Sequence, residues 1–307
     1  MELTWPIKIR IGIAAAVGIG LLGIFGLPLV SPADPMGVVS VVSGRISGGD
    51  AMALMCLAFV SGIVSYFLAW PMGKQIGIFA APAGLAFLAT RSCDMGTLFQ
   101  GNASIVRREQ ILSMMCWEGL LWLAVVAAGF LGVFIASHII HPARPATEDK
   151  SSAQKGKSVK RDAGYFLNII LAIAGSVVAA QFFIGIFARD FTIVDANSGR
   201  VIGQPAMGQI VFALLMSFGL AGFLVKVFLK SDYISVIIST GLVSAFSIMV
   251  YSRPDVISYF AGRWPAAFFP NATLAVLPIQ AVSFGTIGAI AGYWTAIRFE
   301  YWHKNGI

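Results

Sequence analysis

The sequence predicts an all-α integral membrane protein with about eight transmembrane helices, arranged as two parallel four-helix repeats. The first observation is composition: of 307 residues, 58% are apolar and only 11% are charged, whereas soluble domains carry roughly 25% charged residues. The second is a series of apolar runs long enough to cross a bilayer, at a mean hydropathy of +0.83. The third is a pair of loop motifs that recur, in the same order, in the second half of the chain.

This composition excludes several classes of protein. A soluble enzyme, a nucleic-acid-binding module, a secreted disulfide scaffold and a disordered chain are all far more polar. A transmembrane barrel is disfavoured, because its strands alternate apolar and polar residues and these runs are continuous. The three cysteines, Cys56, Cys93 and Cys116, are too few and too scattered for a disulfide framework or a metal cluster. With no catalytic motif visible, we expect neither an enzyme nor a bound cofactor.

The transmembrane helices are predicted from the apolar runs, since about 20 apolar residues span a bilayer. The eight predicted spans are Ile11–Val30, Ala51–Trp70, Ile76–Thr90, Ile111–Ser137, Ala163–Ala188, Met207–Leu229, Tyr233–Tyr251 and Thr273–Ile297.

Two of these spans need comment. The third is short, contains Pro82 and lies between Lys74 and Arg91; we predict that it spans, with a tilted or re-entrant segment as the alternative. The first follows Lys8 and Arg10, but its apolar stretch exceeds the 7–15 residues of a typical signal-peptide core. We therefore expect an uncleaved first helix.

The distribution of basic residues predicts the orientation. The net charge is +7, and with eight alternating spans and a cytoplasmic N-terminus, 13 basic residues fall inside and 8 outside. All of the outer ones are arginines. Because cytoplasmic loops carry the excess of Lys and Arg, both termini are predicted to be cytoplasmic, in what we expect to be a bacterial inner membrane.

A polar, basic segment divides the chain into three parts. Residues 142–162 are rich in Pro, Ser, Lys and Ala and nearly devoid of apolar side chains, so they cannot order themselves by burial. We interpret them as a cytoplasmic linker drawn to the anionic leaflet, with docking of a cytoplasmic partner as the alternative. The linker joins a first repeat, residues 1–141, to a second, residues 163–307.

The repeat is indicated by two motifs in loops predicted to be external. The pattern S-G-R-(I/V)-x-G-x-x-A-M begins at Ser43 and again at Ser198, 155 residues later. The pattern (R/S)-(R/S)-x-D-x4-F-x-G begins at Arg91 and at Ser252, 161 residues later. Since each unit has an even number of spans, both enter the membrane in the same sense, and the pseudo-two-fold axis is predicted to lie along the membrane normal.

The duplicated motifs supply four of the candidate site residues: Arg45 and Arg200, with Asp94 and Asp255 as their natural partners. The structural interpretation is that the arginines staple the outer loops by ion pairing or helix capping. The functional interpretation is an anion or lipid-headgroup site, because the guanidinium fork suits carboxylates and phosphates. A contact surface for another protein is the third alternative.

Glu118 is the fifth candidate, and the one carboxylate that we place within a predicted span. Intramembrane carboxylates are costly and often functional, so a proton or cation site is one hypothesis. The alternative is a structural carboxyl, paired with an arginine such as Arg107 or Arg108 or lying at the interface. The second repeat has no matching carboxylate; Pro278 and Gln280 lie there instead.

Two functions remain open at this point. The first is a non-catalytic subunit or scaffold of a membrane assembly, whose partners are the bilayer and other membrane subunits or further copies of the chain, with no nucleic acid. The second is a transporter or channel for a small solute, with its path between the repeats. Duplication favours transport, whereas the scarcity of polar groups in the spans favours the subunit, which we prefer. A hydrated cavity lined by Glu118, Gln181 or Gln280 would reverse that preference.

Overall fold

The computed structural model describes most of the chain as helices. The described residues are 5–32, 37–41, 46–100, 102, 104–140, 163–189, 191–195, 199–203, 205–261 and 272–305. The predicted linker, residues 142–162, and Arg45 lie outside them.

In the first half of the chain, the α-helices are interrupted by one π-helical turn, which is wider than an α-helix, and by one 3-10 turn, which is tighter. The elements are α1 (Trp5–Gly18), a π-helical turn (Ile19–Ile24), α2 (Phe25–Val30), α3 (Gly48–Leu68), α4 (Gly73–Ile76), a 3-10 turn (Gly77–Phe79), α5 (Ala80–Thr90), α6 (Met95–Gln100) and α7 (Ile105–Ile140).

The second half has a similar order of helices and adds a short hairpin. The elements are α8 (Ala163–Phe187), β1 (Phe191–Asp195), β2 (Gly199–Gly203), α9 (Met207–Leu224), a π-helical turn (Val225–Leu229), α10 (Tyr233–Tyr251), α11 (Pro254–Ala261), a 3-10 turn (Ala272–Ala275) and α12 (Pro278–Asn305).

Six of the described helices are long and apolar enough to cross a membrane, which identifies an integral membrane protein. Their exposed faces carry large apolar side chains such as Phe25, Val178 and Phe182, each more than 60% exposed, as surfaces in contact with lipid require. The six are Trp5–Val30, Gly48–Leu68, Ile105–Ile139, Phe166–Phe187, Met207–Leu229 and Tyr233–Tyr251. Of the other two predicted spans, α5 has 11 residues and α12 has 28, and neither is among the six.

The structure differs from the sequence expectation at two elements. Residues Gly199–Gly203 of the second S-G-R motif, expected to be a loop, form strand β2, which pairs antiparallel with β1 so that Arg200 opposes Val194. Helix α7 extends beyond its predicted Ile111–Ser137 to 36 residues, or about 54 Å against a hydrocarbon core of about 30 Å. The first turns of α7, before Ile111, are helical, although their polar residues had excluded them from the span predicted by hydropathy.

Local sequence explains where α3 begins. Ser47 accepts a hydrogen bond from the Asp50 amide at 3.2 Å, and the Asp50 carboxylate accepts one from the Ser47 amide at 2.9 Å. This reciprocal pair is a capping box, which satisfies two amides that lack partners within the helix.

Two pairs of helices, α3 with α7 and α9 with α12, approach to backbone contact at glycines. A Cβ added to Gly62 would lie under 3.0 Å from the Gly129 carbonyl oxygen, and one added to Gly132 would lie equally close to that of Phe59. In the second pair, Gly222 meets Ala289 and Gly292 meets Gly219 in the same way. Each residue of the second pair lies 160 positions after its counterpart in the first.

The most enclosed helices are α5 and α10. Nearly every residue of α5 is buried, because α1, α3, α7 and α12 all pack around it. Helix α10 is packed against α7, α8, α9 and α12, and its described span is more buried than the other five. Helices α7 and α12 also contact each other, so they connect the two halves of the bundle.

The bundle has one end with most of the irregular structure, which we call the loop end. Helices α2, α5, α8 and α10 finish there, and α3, α7, α9 and α12 begin there. It carries residues 37–41, α6, the β1–β2 hairpin, α11 and the 3-10 turn at Ala272–Ala275. Of the described candidate site residues, Asp94, Arg200 and Asp255 lie in or next to elements at this end.

Candidate functional site

Glu118 lies inside the protein rather than on its lipid-exposed surface. It is 2% exposed and lies 13 residues into α7 from the loop end. The neighbouring Gly119 lets α10 approach closely, since a Cβ there would lie 3.1 Å from the Gly241 carbonyl oxygen. Glu118 is therefore buried in the part of α7 that passes close to α10.

Both carboxyl oxygens of Glu118 accept hydrogen bonds from within the chain. The Ser40 hydroxyl donates to Oε2 at 2.5 Å, and the Trp122 indole Nε1 donates to Oε1 at 2.9 Å. The backbone of Val41 provides a further hydrogen bond. Trp122 is one helical turn further along α7, where the i, i+4 spacing places both side chains on one face. These partners are a hydroxyl, an indole and the backbone, rather than the arginine considered from the sequence.

The Ser40 hydrogen bond fixes a segment that connects α2 to α3. The Val39 amide donates to the Ser92 hydroxyl at 2.9 Å, and the Cys93 amide donates to the Gly37 carbonyl at 3.4 Å. Val38 and Val39 are buried in the core. Residues 37–41 are therefore held between the end of α5 and the carboxyl of Glu118.

Asp94 acts as the N-cap of the short helix α6. Its Oδ1 accepts hydrogen bonds from the Thr97 amide at 2.8 Å and from the Thr97 hydroxyl at 2.7 Å. A carboxylate in this position satisfies an unpaired amide and interacts favourably with the helix dipole. The geometry described for Asp94 is that of a local structural residue.

Asp255 has a comparable place in α11. It is exposed in the first turn, after Pro254, whose fixed φ suits the first position of a helix. The Ile257 amide bonds to the Arg253 carbonyl at 3.0 Å and starts the helix. Both copies of the second motif therefore begin a short helix at the loop end, with an aspartate at the N-terminus of each.

The structure describes the backbone of one of the two candidate arginines and nothing of the other. Arg45 lies outside the described residues, four positions after Val41 in the chain. Arg200 is in strand β2, where the backbone is described and the side chain is not. The predicted pairing of these arginines with Asp94 and Asp255 stays a prediction.

Gln280 is a second fully buried polar residue close to the loop end. Its Oε1 accepts a hydrogen bond from the Leu277 amide at 3.0 Å, and its Nε2 donates to the Met207 sulfur at 3.2 Å. Seven residues before Gln280, Thr273 accepts a hydrogen bond from the Ser247 hydroxyl of α10 at 3.0 Å. These contacts fix the start of α12 and the 3-10 turn before it, much as Glu118 fixes residues 37–41.

The chemistry available to this arrangement is limited. Among the described residues, no group of three or more His, Cys, Asp and Glu side chains could hold a metal ion. Glu118 and Gln280 are both committed to contacts within the chain. The sequence indicated Glu118 but gave no sign of Ser40, which lies 78 residues away in a loop with no recognisable pattern.

Comparisons with known proteins add no relative: no family model, no curated protein and no solved structure matches this chain.

Proposed function

We propose that this chain is a non-catalytic polytopic membrane protein that acts as a subunit or scaffold of a membrane assembly. The observation that carries the proposal is that the buried polar side chains near the loop end form hydrogen bonds within the chain. Glu118 and Gln280 accept and donate within the chain, and they hold connecting segments in place. A transport path needs polar groups that face a solute, whereas a scaffold needs rigidly positioned loops.

The proposal includes an architecture of eight spans in two parallel four-helix units, residues 1–141 and 163–307, joined by the basic segment 142–162. Residues 73–90, which contain α4 and α5, would extend about 27 Å as a helix, nearly the thickness of the hydrocarbon core. Because α5 is surrounded by protein, its short length and Pro82 need not be compatible with lipid.

The glycine crossings support duplication. The contacts of Gly62 with Gly129 and of Gly132 with Phe59 reappear, 160 positions later, in the pairs formed by α9 and α12. The short helices α6 and α11 follow the third span of each unit, in agreement with the repeated Asp motif. In this arrangement α7 and α12 are equivalent helices, and their mutual contact supports a pseudo-axis that runs between them.

We further propose that both termini are cytoplasmic and that the membrane is the bacterial inner membrane. The support is the distribution of basic residues, with every lysine on the side of the termini. The loop end is then external, and its fixed segments, including α6 and α11, form the surface offered to other membrane subunits or to a second copy.

The size of the native particle tests the subunit proposal. The chain has a mass of 32.6 kDa, so extraction from its own membrane in a mild detergent, followed by native mass spectrometry, should give a larger particle of fixed stoichiometry. A discrete complex that is absent after deletion of the chain supports the proposal. A population of single chains in detergent and in native nanodiscs contradicts it.

Transport remains the second candidate, because α10 carries a column of buried hydroxyls. Those of Ser239, Thr240 and Ser244 bond to carbonyls of their own helix, while Ser217 and Thr286 on neighbouring helices have buried hydroxyls without a partner. Proteoliposomes shifted into hyperosmotic glycerol, urea or amino-acid solutions should recover their volume no faster than protein-free liposomes if the chain is a scaffold. Recovery that is accelerated by the wild type, but not by Thr240→Val, favours transport.

A further inference from the structure

A groove between α7 and α10 opens toward the membrane near the loop end. It has a volume of about 390 Å³. Its floor is formed by small or apolar residues, among them Gly241, Ala245 and Leu120. Its mouth, at the loop end, is lined by polar side chains, those of Glu109, Ser113 and Ser252.

The length of the groove matches one leaflet. From Glu109 to Leu120 along α7, and from Ser252 to Gly241 along α10, the rise is about 16 Å. Half of a hydrocarbon core of about 30 Å is about 15 Å. The polar rim therefore lies at headgroup depth when the floor reaches the bilayer centre.

The charges at the rim complement a zwitterionic headgroup. The carboxylate of Glu109 is exposed, and no hydrogen bond or ion pair is described for it. Arg253, also exposed, follows Ser252 directly. A carboxylate binds an ammonium group and a guanidinium binds a phosphate. The exposed Ser113 hydroxyl can donate to a phosphate oxygen, whereas the Ser252 hydroxyl already donates to the Met249 carbonyl at 2.9 Å.

The volume favours a lipid chain over a protein helix. A helix segment about 10 Å wide and 16 Å long fills more than about 1,200 Å³, roughly three times the space of the groove. A single hydrocarbon chain is much narrower. Trp117, which is 72% exposed and lines the groove, offers a flat apolar ring against which a hydrocarbon chain can pack.

We propose that this groove binds a phospholipid of the loop-end leaflet whose headgroup bears a primary ammonium, as in phosphatidylethanolamine. One acyl chain lies along Ala245 and Leu120, the ammonium group contacts Glu109, and the phosphate lies near Ser252 and Arg253. This inference is independent of the proposed function, because a subunit and a transporter could each hold such a lipid.

Native mass spectrometry with added lipid tests the proposal. The delipidated protein is titrated with phosphatidylethanolamine, phosphatidylcholine and phosphatidylglycerol of identical acyl chains. Phosphatidylethanolamine should bind most tightly, because its ammonium keeps N–H donors that phosphatidylcholine lacks. Glu109→Gln should weaken its binding about fivefold, the size expected for one exposed ion pair. Asp232→Asn, which changes an exposed carboxylate at the opposite end of α10 and outside the groove, is the matched control.

A second substitution tests the acyl-chain site. Ala245→Leu fills the floor and should abolish the specific binding of all three lipids, whereas Ala127→Leu, at an exposed alanine of α7 outside the groove, should not. Met249→Trp, which obstructs the rim from an exposed position, serves if Ala245→Leu does not fold. As an independent readout, brominated phosphatidylethanolamine should quench the wild type more strongly than Trp117→Phe.

Three outcomes overturn the proposal. One is equal binding of the three lipids by the wild type. Another is unchanged phosphatidylethanolamine binding in both Glu109→Gln and the groove-filling variant. The third is conversion of dimers to monomers by Ala245→Leu with no change in lipid binding, which would make a second copy of the chain the occupant of the groove.

Discussion

At the residue scale, the buried carboxyl of Glu118 is hydrogen-bonded to two separate parts of the chain. Its oxygens accept from Ser40 and Trp122, so the residue connects a loop to the middle of α7. Removing the carboxyl deprives the buried Trp122 indole of its acceptor and the Ser40 hydroxyl of this hydrogen bond. A buried donor that loses its acceptor costs about 1–3 kcal/mol.

We therefore predict that Glu118→Ala lowers the free energy of unfolding by about 2 kcal/mol or more. Glu118→Gln should lose less, because an amide can accept from Trp122 and donate to the Ser40 oxygen. Reversible unfolding in mixed detergent micelles measures both, with exposed Gln110→Ala of the same helix as control. If Glu118→Ala retains wild-type stability, the hydrogen-bonded arrangement at Glu118 does not stabilise the fold.

At the element scale, small residues determine how closely the helices pack. Helix association in lipid depends on close packing rather than on a hydrophobic driving force. Gly62 and Gly132 allow α3 to touch the backbone of α7, and Gly222 and Gly292 do the same for α9 and α12. The two pairs share one geometry although the surrounding side chains differ.

We expect one added methyl group to lower the stability of the protein by a similar amount at the α3–α7 crossing and at the α9–α12 crossing. Gly132→Ala and Gly292→Ala should each destabilise the protein by about 1–3 kcal/mol through overpacking. Gly175→Ala, where the added methyl group has no neighbour within 4 Å, should be neutral or stabilising by up to about 1 kcal/mol. Thermal unfolding in detergent compares the three. A large effect at Gly132 with none at Gly292 would separate the two crossings and weaken the case for duplication.

At the scale of the whole molecule, whether the two proposed units have the same or opposite orientation in the membrane depends on residues 73–90. If this segment spans the membrane, each unit has four spans and both units are parallel. If it is re-entrant, the first unit has an odd number of crossings and the second unit is inverted.

Labelling of single cysteines, introduced into a variant without the native cysteines, tests whether residues 73–90 span the membrane. Gln75 and Thr90 are exposed at opposite ends of the segment. An impermeant maleimide should label Thr90→Cys in intact cells, and Gln75→Cys only after lysis. Ala153→Cys, in the basic linker, should behave like Gln75→Cys. Labelling of both Gln75→Cys and Thr90→Cys from outside would indicate a re-entrant segment and exclude two parallel units.

The sequence was most informative for features with a local cause. The predicted spans Met207–Leu229 and Tyr233–Tyr251 coincide with those in the structure, because Lys230 and Asp232 between them cannot enter hydrocarbon. It was less informative where a helix continues past the membrane. The first turns of α7 contain Arg107, Arg108 and Glu109, and hydropathy cannot tell a polar helix from a polar loop.

The sequence by itself therefore determined that this is a helical membrane protein, where most of its helices cross, and that Glu118 is unusual. Only the tertiary structure decided what Glu118 contacts, since Ser40 is 78 residues away and no periodic pattern connects them. The groove at Glu109 likewise exists only because Gly119 and Gly241 bring α7 and α10 together. Partition between water and lipid is a property of each segment alone, whereas a hydrogen bond or a groove depends on which segments pack against one another.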